Sequence, residues 1–271
     1  MDFKEFFMVK SMGRLAGKSA VILGASSEKG IGEAIARMFV SEGANVTISG
    51  RNESALSILA KDIGAAIYVC DITDESQIEG LFAHAADTYG GIDIAVNAAG
   101  VNMPGAIEGL TRETLQTLCD VQFIGPTLFI KQAAAAIDKS PSKSGGSIVS
   151  LSSITAELTG AGLGAYAATK AAIDKLVKVA AVEYGPLNIR VNSISPGITP
   201  TPMTEKIFDT PSMVNAFKKE TPIGRLATPE DVAFAALYLA DDRCMATGDN
   251  IRVSGGIHLR RLPTYPEMMG S

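Results

Sequence analysis

Seven short β-branched runs alternate with longer amphipathic stretches, and that alternation constrains this chain more than anything else in it. The runs are SAVILG from Ser19, NVTISG from Asn45, AAIYVC from Ala65, IDIAVN from Ile92, GSIVSLS from Gly146, NIRVNSIS from Asn188 and DNIRVS from Asp249. Most are nearly continuous in apolar residues, as strands covered on both faces must be. Between them, Ile31, Ala34, Ile35, Met38 and Phe39 make one apolar helical face, stopped at Ser41-Glu42-Gly43. Another helix begins at Thr111, and a long one runs through Tyr166 to Tyr184, ending at Gly185-Pro186. Repeated strand–helix units imply right-handed crossovers and a parallel sheet with helices on both faces. The predicted fold is a single doubly wound α/β domain with a parallel sheet of about seven strands.

The expected boundaries are an N-terminal extension over 1–14, the domain over 15–257 and a C-terminal tail over 258–271. The rhythm breaks between Pro196 and Pro229, with Pro200, Pro202, Pro211 and Pro222 in between. An irregular insertion after a strand's C-terminal end is where such a fold builds a substrate lid, expected over about 197–228.

At 271 residues the chain can bury a substantial core. A net charge of −5 with scattered Lys and Arg argues against a nucleic-acid surface. No apolar stretch approaches the ~18 residues of a membrane span, and the opening MDFKEFFMVKSMGR lacks a signal-peptide core. Cys70, Cys119 and Cys244 are far apart and form no CxxC pair, so a reduced, cytoplasmic setting is expected. His84 and His258 fall in no ligand spacing, and no metal is expected.

The stretch LGASSEKGIG turns the first strand at Gly24 and opens a helix through Gly30, Ile31 and Gly32. Free N–H groups and the helix dipole make such a junction favourable for a pyrophosphate, with Ser26, Ser27 and Lys29 in the loop. A plain structural turn is the other reading. Some 20 residues on, where an NAD site carries an acid for the ribose hydroxyls, the second strand ends Ser49-Gly50-Arg51. Arg51 can pair with a 2′-phosphate that a carboxylate would repel, so NADP(H) leads and NAD(H) is the alternative. Asp71 and Ile72 close the third strand, where the carboxylate can accept from the adenine amino group. Asn97-Ala98-Ala99-Gly100 closes the fourth, with small residues that admit a cofactor to the backbone.

The chemistry is concentrated in SIVSLSSITAELTGAGLGAYAATKAAI. Tyr166 and Lys170 are one helical turn apart on one face, and Ser153 closes the preceding strand. A nearby ammonium favours the phenolate and is expected to lower the Tyr166 pKa. Tyr166 would then exchange a proton with a hydroxyl or carbonyl oxygen that Ser153 fixes, while Lys170 reaches the nicotinamide ribose.

With these motifs in this order, the chain resembles the short-chain dehydrogenase/reductase family of YxxxK type over nearly its whole length. The glycine loop, Asp71, the NAAG at Asn97, Ser153-Tyr166-Lys170, Asn192 with Ser195-Pro196-Gly197, and Gly248-Asp249-Asn250 with Gly255-Gly256 all take part. The resemblance implies a Rossmann-type domain and hydride transfer between nicotinamide C4 and a carbonyl or secondary alcohol. It brings Pro196, Gly197, Thr199 and Thr201 to the nicotinamide and implies a homotetramer, or a dimer. Two positions depart from the family: Ala98 replaces the second Asn of NNAG, and Gln122 stands where an Asn usually anchors a water of the proton relay. Gln122 is carried as a catalytic candidate.

The expected substrate walls are Met103, Leu158, Leu163, Met203 and Ile207, with Phe208, Met213 and Phe217 in the lid. They fit an apolar alcohol or ketone of hydroxysteroid, oxoacyl or cyclic ketone type, and they equally fit plain packing of the lid. The tail is expected to cover a neighbouring subunit's site. Two rival classes stand beside the oxidoreductase: a catalytically weak NADP-binding regulator or scaffold, and a serine hydrolase that lacks a GxSxG elbow.

Overall fold

Each of the seven apolar runs forms a strand, and all seven lie parallel in one sheet of order β3-β2-β1-β4-β5-β6-β7. The computed structural model describes residues 13–270; most of the expected N-terminal extension lies outside the described residues. The strands are β1 (Ser19–Leu23), β2 (Asn45–Gly50), β3 (Ala66–Val69), β4 (Ile94–Asn97), β5 (Gly146–Leu151), β6 (Ile189–Pro196) and β7 (Asn250–Val253). The register pairs Ile22 with Ile48 on one side and with Val96 on the other. Chain order reverses at β1, where β2 and β4 flank it, and the crevice above that reversal is where such sheets bind ligands.

Period-two alternation divides the core into two layers. Ile22, Ile48 and Val149 face the layer shared with α1 (Ile31–Ser41), α2 (Glu53–Ile63) and α9 (Pro229–Ala240), where Phe39, Leu56 and Leu237 are buried. Their neighbours Val21, Leu23, Ala95 and Ile148 face α3 (Glu75–Tyr89), α5 (Gly125–Lys139) and α6 (Gly164–Tyr184), where Phe82, Phe129 and Ile173 pack.

Helix ends follow local chemistry. Asp74 caps α3 by accepting from the Ser76 and Gln77 N–H groups, and Thr228 with Asp231 forms a reciprocal capping box on α9. The helix that begins at Thr111 is divided before β5: α4 (Arg112–Cys119) leads through a wider π turn at Asp120–Ile124 into α5. There the Gly125 N–H reaches back five residues to the Asp120 carbonyl. Pro126 is the sequence signal for the break, because it has no N–H to offer the Gln122 carbonyl.

The proline-rich stretch after β6 holds two short helices, α7 (Glu205–Phe208) and α8 (Pro211–Glu220). The tail ends in α10 (Tyr265–Met269) and packs against its own chain rather than reaching away from it. Leu262 and Met268 join a third apolar cluster with Ile154, Phe217 and Ile257, and Arg261 pairs with Glu220 of α8. Apolar contact and a charge pair both hold it there.

Candidate active site

The glycine loop is built by backbone crowding. Gly24 has φ +94°, and a Cβ there would lie 2.5 Å from the Ala98 carbonyl carbon, so only glycine lets β1 turn against the NAAG segment. A Cβ on Gly32 would lie 2.3 Å from the Gly24 carbonyl oxygen. These glycines therefore bring the loop, the helix and the end of β4 together. Glu28 and Lys29 form a turn closed by Gly30 N–H donating to the Ser27 carbonyl at 2.9 Å, with Lys29 left-handed at φ +57°. The Lys29 N–H donates to the Glu33 carboxylate, and no side chain caps α1 at Gly30, which leaves its first-turn N–H groups available to an anion.

Arg51 follows β2 with its side chain 70% exposed and its guanidinium 3.9 Å from Asp71. The other Asp71 oxygen accepts from the Thr73 N–H and hydroxyl. Ile72 is buried, and its side chain belongs to the core layer with Phe129. Asn97 is buried, and its Oδ1 accepts the Ala99 N–H at 3.0 Å, which fixes the NAAG turn.

Ser153, Tyr166 and Lys170 meet at the end of β5. Ser153 lies two residues past the end of β5 and caps the short turn Ile154–Ala156, while Tyr166 and Lys170 rise on α6. The Lys170 Nζ donates to the Leu151 carbonyl at 2.9 Å and lies 5.8 Å from the centre of the Tyr166 ring. Burial pushes the Tyr166 phenol up, and its hydrogen bond with Ser153 pulls it back. This corrects the expectation from spacing: burial is the larger influence, Ser153 rather than the ammonium opposes it, and the phenol moves up rather than down. Burial also pushes Lys170 down to about 8, opposed by the carboxylate of Asp174.

Gln122 sits in the π turn, 1% exposed. Its Nε2 donates to Thr169 Oγ1 at 3.2 Å, and that hydroxyl in turn donates to the Tyr166 carbonyl at 2.8 Å. The Thr169 oxygen must therefore accept from Gln122, which turns Gln122 Oε1 the other way. That oxygen is buried without a partner. It shares a small space with Lys170, since the point where a Gly100 Cβ would stand is 3.4 Å from Oε1 and 3.7 Å from Lys170 Nζ.

On the nicotinamide side, Pro196 ends β6, and the Gly197 N–H donates to the Val253 carbonyl at 2.9 Å. Thr199 is buried, with its hydroxyl on the Gly197 carbonyl, and Thr201 caps the next turn reciprocally with Thr204. Asn192 is a staple: its amide donates to the Ala246 carbonyl and accepts the Asp249 N–H.

The expected substrate walls divide. The Met203 methyl lies 4.0 Å from the same Gly100 point, at the edge of the catalytic group. Met103 follows the NAAG turn in a loop pinned to the 154–163 segment by Gly105 N–H donating to the Gly162 carbonyl. Leu158 and Ile207 instead pack on the third cluster, and Leu163 lies beside Leu262 over Gly160. Reading the sequence missed Thr169, because it carries no motif and only folding brings it to Gln122.

A family model described as enoyl-(acyl carrier protein) reductase matches residues 24–258. A 2,5-dichloro-2,5-cyclohexadiene-1,4-diol dehydrogenase of Sphingobium indicum is 34% identical over 249 residues, covering 90% of this chain and 97% of that protein. A 3β-hydroxysteroid dehydrogenase of Eggerthella lenta is 34% identical over 253 residues, covering 90% and 95%. The solved structure of a short-chain type dehydrogenase/reductase from Mycobacterium ulcerans superposes with a TM-score of 0.88 at 32% identity, covering 94% of each chain.

Fold, site and kinship together define an NAD(P)-dependent oxidoreductase acting on CH–OH or C=O groups. The chain belongs to the short-chain dehydrogenase/reductase family. The residues present fit a nicotinamide dinucleotide: a glycine loop packed too closely against β4 and its helix to admit a Cβ, an uncapped helix N-terminus and an exposed Arg at the β2 tip. Among the described residues, no helix is long and apolar enough to cross a membrane.

Proposed function

We propose that this protein is an NADP(H)-dependent oxidoreductase that interconverts a secondary alcohol and a ketone on an apolar substrate. The observation that carries this reading is that Ser153 acts on the Tyr166 phenol while Lys170 lies 5.8 Å from the ring centre and beside Gly100. When bound, the nicotinamide supplies the hydride donor or acceptor. Ser153 holds the substrate oxygen, and Tyr166 gives or takes the proton there. Lys170 supplies positive charge beneath the phenol, and the free carbonyl of Gln122 offers the ammonium an acceptor in its otherwise dry surroundings.

Gly24, Ser26, Ser27, Lys29, Gly30, Ile31 and Gly32 would hold the pyrophosphate. Asp71, Ile72 and the 97–100 turn would hold the adenosine and ribose, and Pro196, Gly197, Thr199 and Thr201 the carboxamide. Arg51, exposed and with no acid at its own strand tip, supports NADP(H) through its fit to a 2′-phosphate. Asp71 beside it is the one observation favouring NAD(H), because it offsets part of that charge.

The methionines at 103 and 203 support an apolar substrate, as do two relatives named for a cyclohexadienediol and a 3β-hydroxysteroid. The segment 197–228 acts as the lid. Exposed Phe123 and Ile124 near the π turn and Val179 and Val182 on α6 support a homotetramer. Three free cysteines support a cytoplasmic setting.

The test is turnover of cyclic and steroidal secondary alcohols and ketones with each nucleotide, by wild type and Tyr166→Phe. Tyr166→Phe should lose about 10²- to 10⁴-fold in kcat while still binding NADPH by fluorescence titration. Retained turnover in that variant removes the assignment.

A further inference from the structure

We propose that Thr155 is a positioning residue that fixes Ser153 as a hydrogen-bond donor toward the reacting oxygen. The proposal rests on the Ser153–Tyr166–Lys170 reading above and adds a residue that no motif points to. A serine hydroxyl has one hydrogen to give and two lone pairs to fill. Both lone pairs of Ser153 Oγ are engaged by the same residue: the Thr155 hydroxyl donates at 2.9 Å and the Thr155 N–H at 3.2 Å. What remains to Ser153 is its own O–H. That hydrogen can only be donated, and the Tyr166 phenol is the side chain on which Ser153 acts.

The direction of that bond matters for the chemistry. A donor facing the phenol oxygen favours phenolate, and a donor facing a developing alkoxide does the same for the substrate. An acceptor would do the reverse, because it would bind the neutral phenol O–H and hold Tyr166 in its protonated state. With one lone pair open, Ser153 could play either part.

The local fold does not need this hydroxyl. Ser153 already caps the Ile154–Ala156 turn through the Thr155 N–H, and the turn is closed by Ala156 N–H donating to the Ser153 carbonyl at 3.0 Å. Buried Ile154 anchors the segment in the third cluster. The Thr155 Oγ1 bond is therefore additional to the cap, and its effect falls on Ser153. The β-branch of threonine limits its rotamers and so keeps the hydroxyl aimed. The charged groups near the pair are Lys170, 5.8 Å from the Tyr166 ring centre, Asp174 acting on that lysine, and the Glu157–Arg252 ion pair at the end of the same turn. None of them is a competing donor among the hydrogen bonds of Ser153.

Thr155→Val keeps the shape and the N–H bond and removes only the hydroxyl; Thr155→Ser restores it. The measurement is kcat and KM against pH for oxidation of cyclohexanol, a cyclohexanediol and a 3β-hydroxysteroid with saturating NADP⁺. Thr155→Val should lower kcat about 5- to 20-fold near neutral pH and leave the KM for NADP⁺ unchanged. Its acid limb should move up by about half a pH unit or more, since the phenolate loses a committed donor. Thr155→Ser should restore both.

A second measurement needs no substrate: the phenolate absorbance of each protein minus that of its Tyr166→Phe counterpart, followed against pH. Tyr166 should titrate higher by the same half unit or so in Thr155→Val. Superimposable profiles for wild type and Thr155→Val overturn the proposal, as does a Thr155→Ser variant as impaired as the valine. If Tyr166→Phe itself keeps its turnover, it is the catalytic reading that falls. If Tyr166→Phe is inactive and Thr155→Val is normal, only the role of Thr155 falls.

Discussion

Around β1 and β4 the site is made of backbone, whereas at the end of β5 it is made of side chains. In the first region Gly24, Gly32 and the Ala98–Ala99 peptide touch one another directly, and the recognition surface is what their close approach leaves open. In the second, Ser153, Tyr166, Lys170 and Gln122 come from a strand end, a helix and a π turn, and each is held by bonds to its neighbours. A backbone site has almost no tolerance for added atoms. A side-chain site tolerates isosteric change in shape but not in hydrogen-bond polarity or charge. The lid and tail follow neither rule, since their apolar residues pack largely on one another.

The strongest attack on this comparison is Gly32→Val. The new side chain would meet the Gly24 carbonyl at 2.3 Å, so the helix must move away from the loop. NADPH binding should be lost in fluorescence titrations, with stability lowered by about 3 kcal/mol in urea unfolding. Normal cofactor affinity would show that the loop is not a close-packed cradle.

Next in size is Arg51→Asp, which alters the one side chain on which the nucleotide half relies. The ratio of kcat/KM for NADP⁺ over NAD⁺ should fall about 100-fold, as a charge-assisted pair becomes a repulsion. An unchanged ratio would mean that Arg51 does not meet the 2′-phosphate.

Lys170→Met tests the other half through stability. The folded-state pKa of Lys170 is lowered to about 8 from 10.5, so the unfolded chain binds more protons between those values. Folding stability therefore rises with pH across that window, and below it the penalty of burying the charge is fully present. Lys170→Met should lose turnover yet be more stable at pH 7 by about 2 kcal/mol, with the advantage shrinking as pH rises through the window. A less stable variant at pH 7 would show that the bond to the Leu151 carbonyl outweighs desolvation.

The smallest effect belongs to the tail. Arg261 pairs with Glu220 and Glu267 at a half-exposed position, and Arg261→Met should leave the urea-unfolding midpoint almost unchanged. Its reading is the KM for an apolar alcohol, expected to shift no more than about threefold. A large change in kcat would make the tail part of the chemistry.

Much of this was legible in the chain. The apolar runs announce seven strands, the glycines announce the turn at Gly24, and Ser153, Tyr166 and Lys170 carry their spacing openly. Other features were not legible. The spacing of Tyr166 and Lys170 made the phenol look acidified, because a sequence shows which charges are near but not how dry they are. Leu158 and Ile207 looked like substrate walls, because apolar residues read the same whether they line a pocket or close a lid.

By itself, the sequence determined the order of elements, the parallel sheet and the residues at its strand ends, because period and composition act locally and survive without coordinates. The tertiary structure alone decided which way Gln122 Oε1 faces, how Lys170 comes to lie near a pKa of about 8, and that the tail folds onto its own lid. These depend on burial and on who donates to whom, and both are settled only when residues far apart in the chain exclude water together.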